Sequence, residues 1–220
     1  MSISNRSPLL LPRQEHLSGL PAALPPVSDG MCIGLFGGTF NPPHEGHRLA
    51  SMIAMKRLNL SAVWWIVTPG NPLKENSGLP PMLRRMEAAQ QVANHPAITI
   101  TGFEADIRTR FTYDTINYLV RRHSGVRFVW IMGADNLAGF HRWQRWKDIL
   151  SLVPVVVIDR PRSTLRAVSS RAAHYLSEYR VTEKDAALLP YSNTPAFMFL
   201  HGPRSDMSST ELRNKGLGLG

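Results

Sequence analysis

Residues 37–47 read Gly37-Gly38-Thr39-Phe40-Asn41-Pro42-Pro43-His44-Glu45-Gly46-His47. A short apolar run, Met31 to Phe36, precedes them, and Leu49, Met52 and Ile53 follow at the i, i+3, i+4 spacing of an amphipathic helix. The order is therefore strand, glycine-rich turn, helix. Gly37 and Gly38 let the backbone approach a phosphate closely. His44 and His47, three residues apart at a helix start, share one face with the free amide donors of that helix end. As an isolated pair they read more readily as helix-start histidines satisfied by local hydrogen bonds. Their spacing matches none of the usual zinc patterns, and no metal ligand is assigned. With the two glycines immediately upstream, the phosphate reading is preferred.

Outward from this turn, strand-like and helix-like segments alternate. Ala62 to Val67, Ile98 to Thr101, Arg127 to Met132, Pro154 to Ile158 and Ala196 to His201 read as strands. Pro81 to Val92, Tyr113 to His123, Leu165 to Glu178 and Ser208 to Lys215 read as helices. Near-continuous apolar strands alternating with helices predict an α/β fold of one domain. It is a Rossmann-like parallel sheet covered by helices on both faces. Ligands of such sheets sit at the carboxyl ends of the strands. The turns after Phe36, Val67, Met132 and His201 all lie there, and all carry candidate functional residues. Residues 1–30 stand apart, with five prolines and no sustained period. They are expected to be a disordered extension, with the domain running from 31 to 220.

Composition narrows the function classes. A length of 220 residues, 43% hydrophobic and 19% charged, suits one globular domain. No apolar run is long enough to span a bilayer, so no membrane role is expected. Cys32 is the only cysteine, which excludes an internal disulfide and favours a reducing cytoplasm. The net charge of +9 suits anionic partners. Its arginines are scattered without a basic block or an aromatic-basic recognition motif, which favours small phosphate substrates over nucleic acid.

Three further segments bear on chemistry. Ser208 and Glu211 have the spacing of a capping box, and Ser209, Thr210 and Arg213 would make that helix start a second anion site. Gly133 and Asp135 follow a strand end, where Asp135 is either a helix N-cap or a hydrogen-bond acceptor for a ligand. Phe111-Thr112-Tyr113-Asp114-Thr115 opens a helix whose first amides suit a carboxylate.

His44-Glu45-Gly46-His47 behind Gly37-Gly38-Thr39-Phe40 resembles the HxGH signature of the nucleotidyltransferase superfamily, shared with class I aminoacyl-tRNA synthetases. Ser208-Ser209-Thr210-Glu211-Leu212-Arg213 resembles the SSTxLR segment of its adenylyltransferase branch. Together they are similar to the bacterial nicotinate-nucleotide adenylyltransferase family, over roughly Met31 to Lys215. The resemblance implies AMP transfer from ATP to nicotinate mononucleotide, with Mg²⁺ carried on the triphosphate. It implies that His44 and His47 stabilise the transferred phosphoryl group, with Arg213, that Gly37, Gly38, Thr39, Phe40, Gly133, Asp135, Ser209 and Thr210 bind ATP, and that the amides of Thr112 and Tyr113 hold the pyridine carboxylate. Trp143 matches the tryptophan that stacks on the pyridine ring, and Trp146, at i+3, reads better as core. Lys74 matches a lysine reaching a phosphate, and reads equally as a solvated loop residue. Arg85 matches an arginine on the same helix of the family. Asn41 and Met207 depart from the family pattern, which more often has aspartate and isoleucine there. Phosphopantetheine adenylyltransferases and cytidylyltransferases are the rivals inside the superfamily, and a nucleotide sensor without catalysis is the rival outside it. The sequence leaves oligomeric state open.

Overall fold

The computed structural model describes residues 24–73, 76–159, 167–202 and 207–219. Six strands form one all-parallel sheet: β1 Cys32–Gly38, β2 Ala62–Val67, β3 Ile98–Thr101, β4 Arg127–Gly133, β5 Val155–Ile158 and β6 Phe197–Leu200. Their order across the sheet is β3-β2-β1-β4-β5-β6. The chain builds outward from β1 in one direction, then returns to the other side of it. The switch point therefore lies between β1 and β4, whose pairing stops at Leu35 and Trp130 while both strands run on for three residues.

Each strand buries both faces, and its side chains divide by parity. Phe36, Trp65, Val129, Ile131, Val156 and Met198 belong to one core layer, under α1 (Glu45–Leu58) and α2 (Met82–Ala93). Leu35, Trp64, Trp130, Val155 and Phe199 belong to the other, on the side of α4 (Thr112–Arg122) and α6 (Trp146–Leu152). The shorter helices are α3 (Phe103–Asp106), α5 (Ala134–Leu137), α7 (Arg171–Leu176) and α8 (Ser209–Asn214). A 3₁₀ segment, Glu183–Tyr191, covers the first face beside α1. No helix among the described residues is long and apolar enough to cross a membrane.

Two boundaries differ from the sequence reading. Leu24 and Val27, inside the stretch expected to be disordered, pack against the second core layer, and the Gly30 amide donates to Gly125 O at 2.8 Å. The packed domain thus includes residues 24–30, because those two apolar side chains find a partner face that composition cannot reveal. Residues 1–23 lie outside the described residues. Of the helix expected over Leu165 to Glu178, residues 165 and 166 lie outside the described residues; Ala167 and Val168 are helical, the helix breaks at Ser169 and Ser170, and a second one runs from Arg171 to Leu176, continued by a 3₁₀ turn, Ser177–Tyr179. Ser170 caps it by accepting the Ala173 amide at 3.1 Å, since a serine hydroxyl competes with helix continuation.

Candidate functional site

At the carboxyl end of β1 the chain turns through Thr39 to Pro43 and enters α1 with His44 as N-cap. His44 Nδ1 accepts the Gly46 amide at 3.1 Å, while the His44 amide donates to His47 Nδ1 at 3.2 Å. Two histidines thus do what serine and glutamate do in an ordinary capping box. Chemistry follows from that choice. A nitrogen that accepts carries no proton, so the neutral ring of each histidine holds its proton on Nε2 as a donor. The ring centroids lie 3.9 Å apart. Phe40, at 4.9 Å, and Trp65, at 5.9 Å, wall in the His47 ring.

Support continues one layer further down. Ser51 is fully buried; its hydroxyl accepts the Trp65 indole N–H at 2.7 Å and donates to His47 O at 2.9 Å. Ser51→Ala is expected to strand that indole donor and cost about 1–3 kcal/mol. Thermal unfolding should show the midpoint falling by roughly 2–4 °C for each kcal/mol in a chain of this size. An unchanged midpoint would show that the Trp65 donor finds another partner.

The second helix start faces the first. Ser208 Oγ accepts the Glu211 amide at 3.1 Å, capping α8. Ser209 Oγ donates to Pro42 O at 2.8 Å, and Arg213 Nη1 donates to Asn41 O. Arg213 Nη2 also reaches Thr210 Oγ1 at 3.3 Å. These bonds fasten α8 across some 170 residues of sequence onto the turn between β1 and α1, leaving the start of each helix open to one cleft.

That cleft, of about 210 Å³, is lined by Gly37, Gly38, Thr39, Phe40, His47, Thr112, Asp135, Trp143, Ser209, Thr210 and Arg213 among the residues expected from sequence. His44, Gly133 and Tyr113 lie next to it and do not line it. His44 is only 2% exposed, Gly133 is the N-cap of α5, and the Tyr113 ring is covered by the Arg145 guanidinium at 3.7 Å. Asp135 is an exposed residue in the first turn of α5, so the cap reading for it is corrected: the N-cap is Gly133, where β4 ends, and it makes no side-chain cap bond. Phe111 caps α4 without a side-chain bond, leaving the Thr112 and Tyr113 amides at positions where no intrahelical acceptor exists. Trp143 stands edge-on to Trp130 and Phe140, while Trp146 packs on Phe140 and Tyr175. Lys74 lies outside the described residues.

Arg85 takes a different place from the one its helix suggested. It is 1% exposed and lies behind the cleft, donating to Pro80 O at 2.9 Å and to Thr39 O and Thr68 O at 2.8 Å each. Burial lowers its pKa to about 10, which still leaves it charged at neutral pH. A guanidinium answered by backbone carbonyls alone fixes the turns after β1 and β2 against each other.

Sequence reasoning missed Thr68, Glu104, Arg110 and Trp130 as cleft residues. Thr68 and Glu104 follow the ends of β2 and β3, so the carboxyl-end rule could have found both. Trp130 lies within a strand whose apolar pattern reads only as core. Among the described residues no group of three or more His, Cys, Asp or Glu side chains gathers as a metal cage.

Helix starts and bare amides converging on the switch point of a parallel sheet define an α/β protein built to hold phosphates. The family model described as cytidylyltransferase-like matches residues 35–215. A relative from Bradyrhizobium sp. (strain ORS 278), named probable nicotinate-nucleotide adenylyltransferase, is 55% identical over 184 residues, 84% of this chain and 96% of its own. One of the same name from Methylorubrum extorquens (strain PA1) is 54% identical over 185 residues, 84% of this chain and all of its own. The chain belongs to the nicotinate-nucleotide adenylyltransferase family, within the cytidylyltransferase-like proteins. Its fold is shared with Plasmodium falciparum nicotinic acid mononucleotide adenylyltransferase, solved in complex with NaAD. The TM-score is 0.58 at 16% identity, over 84% of this chain and 83% of that one.

Proposed function

We propose that this chain transfers AMP from ATP to nicotinate mononucleotide, giving nicotinate adenine dinucleotide and pyrophosphate. The observation that carries the reading is the reciprocal histidine cap beside Gly37 to Phe40, fastened to a second helix start that opens on the same cleft. Identity above 50% along most of two relatives of that name supports it.

The acceptor's phosphate, mostly dianionic at neutral pH because its second pKa is about 6, attacks the α-phosphorus directly. A new P–O bond forms, the α–β bridge bond breaks, and its electrons leave on pyrophosphate. No general base is needed, so positioning and electrostatics carry the rate. His47, with His44 behind it, directs an Nε2–H donor at the α-phosphoryl oxygens. Gly37, Gly38, Thr39 and Phe40 shape the backbone around the triphosphate. Ser209, Thr210 and Arg213 take the leaving pyrophosphate. Asp135 accepts from a ribose hydroxyl, with Gly133 setting its approach. Thr112 and Tyr113 amides bind the pyridine carboxylate, and Trp143 stacks on the ring. Lys74, outside the described residues, is assigned to a substrate phosphate on the sequence resemblance alone. Mg²⁺ enters as part of the substrate MgATP. Asp135 and Glu104, the carboxylates that line the cleft, form no cage, so the ion keeps phosphate and water ligands. The reaction is placed in the cytoplasm, without nucleic-acid or membrane partners.

Pyrophosphate release tests this. With ATP, nicotinate mononucleotide should exceed nicotinamide mononucleotide in kcat/KM by roughly tenfold or more, because a helix start favours an anion over a neutral amide. Equal rates would remove the role given to Thr112 and Tyr113. Release only with a pantetheine or choline phosphate acceptor would move the chain to another branch of the superfamily.

A further inference from the structure

Phe40 has a backbone conformation that the turn between β1 and α1 does not require of it. Its φ is +48°, in the left-handed region that bulky residues rarely enter, while neither Gly37 nor Gly38 uses that freedom. Strain of this kind persists where the surrounding structure over-determines a residue. What holds Phe40 is its ring. It is 2% exposed, stacks on the Trp65 indole at 5.0 Å and 14°, and meets Phe36 edge-to-face at 6.2 Å. The same ring lies 4.9 Å from the imidazole of His47.

Trp65 is the fixed end of this arrangement. It belongs to β2, is fully buried and does not line the cleft. Its Nε1–H donates to Ser51 Oγ at 2.7 Å, and the Ser51 hydroxyl donates in turn to His47 O at 2.9 Å. These contacts close a circuit. From the His47 carbonyl it runs to Ser51 and Trp65, then from the indole to the Phe40 ring and back to the His47 imidazole. One residue is thus held at both its main chain and its ring. The ring needs such support. The last torsion of a histidine side chain is broad. The bond from the His44 amide to Nδ1, at 3.2 Å, fixes one point of the ring rather than its plane. The plane is set by its neighbours, Phe40 together with Phe36 at 5.8 Å and Trp65 at 5.9 Å. With the indole N–H taken up by Ser51, these walls offer the imidazole no hydrogen bond and do not compete for Nε2.

We propose that Trp65 is a positioning residue for the transfer step. Clamped to α1 at His47 O through Ser51, and stacked on Phe40, it sets the plane in which His47 presents Nε2 to the phosphoryl group. The left-handed turn at Phe40 brings that ring against both the indole and the imidazole. The inference deepens the reading under Proposed function and rests on the role given there to His47.

A double-mutant cycle of Trp65→Phe and His47→Ala tests it, read by single-turnover AMP transfer at saturating substrates. Trp65→Phe keeps an apolar ring but loses the bond to Ser51 and part of the stacking face. Alone it should slow transfer on the order of tenfold to a hundredfold, as a displacement of about 1 Å can. The half-saturating ATP concentration should stay within about threefold of wild type, because ground-state contacts to the triphosphate are spread over many donors. In the His47→Ala background the same substitution should change the rate by less than about twofold, since a group acting only through the imidazole has nothing left to place. A purely structural role predicts the same fold loss in both backgrounds, and that result overturns the proposal. Wild-type transfer by Trp65→Phe overturns it as well. Phe40→Leu, which stays apolar and loses the flat ring, goes through the same cycle under the same criteria and decides the matter if Trp65→Phe does not fold. Wild-type transfer by His47→Ala alone would instead remove the role given to His47, and absence of pyrophosphate release from wild type would sink the proposed function, so the failures are distinguishable.

Discussion

His47→Ala is expected to lower kcat by about 10²–10³-fold, the usual cost of removing one donor aimed at developing phosphoryl or oxyanion charge. ATP should still bind within roughly tenfold of wild type, because the turn backbone and the α8 start remain and ground-state contacts are spread over many donors. The substitution removes two things at once: the Nε2 donor of a ring that lines the cleft, and the Nδ1 acceptor that receives the His44 amide at 3.2 Å. Loss of the cap alone costs about 1 kcal/mol of stability. A second variant separates them. In His47→Asn the side-chain oxygen can occupy the Nδ1 position and keep the cap, but nothing reaches where Nε2 was. It should therefore melt close to wild type and remain as slow as the alanine variant. His47→Gln, with a donor near the Nε2 position, should recover part of the rate. Wild-type turnover in His47→Asn, measured by pyrophosphate release, would refute the assignment of His47 to the transferred phosphoryl group.

The sheet was legible because its strands are short apolar runs between breakers. Ala62–Val67 is closed by Thr68-Pro69-Gly70, and Ile98–Thr101 by Gly102, so both come out with the boundaries read from sequence. Helix ends were harder. Asp135 looked like a cap because its residue type is right, and only the path of β4 decides that the N-cap falls at Gly133, two residues earlier. The lining of the cleft was legible where the residues belong to a turn, as at Gly37 to His47 and Ser208 to Arg213. It was hidden where lining depends on what a side chain faces. Arg85 and Glu104 are both ionisable residues on helices, and nothing in a sequence of one chain says that the first is locked among carbonyls behind the cleft while the second opens into it. Trp130 obeys the strand alternation perfectly, so its contact with the cleft has no signature at all.

Gly46→Ala should cost about 100-fold in kcat with little change in melting temperature, and the reason is spatial rather than conformational. A Cβ at Gly46 would lie 2.9 Å from both Cε1 and Nδ1 of His44 and 3.3 Å from Met207 O. Contacts below 3.0 Å are not tolerated, so the buried His44 ring must turn away. The Gly46 amide then loses its bond to His44 Nδ1, and the strand of chain leading into α8 is pushed back. Both halves of the proposed phosphate site move, and a shift of about 1 Å in a positioned group is enough for a loss on the order of 10². Stability feels opposing effects of similar size. Alanine gains about 0.8–1.0 kcal/mol over glycine in a helix, while a lost N-cap bond costs about 0.5–2 kcal/mol. Glycine is thus the worse helix former at the second position of α1 and is needed there to let the imidazole lie flat over the backbone. The experiment is a pair of measurements on one variant, thermal unfolding and single-turnover AMP transfer. A large fall in rate with an unmoved melting curve is the expected result. Full activity would mean that the His44 ring can be displaced without consequence, and that the spacing of the two histidines serves the helix start alone.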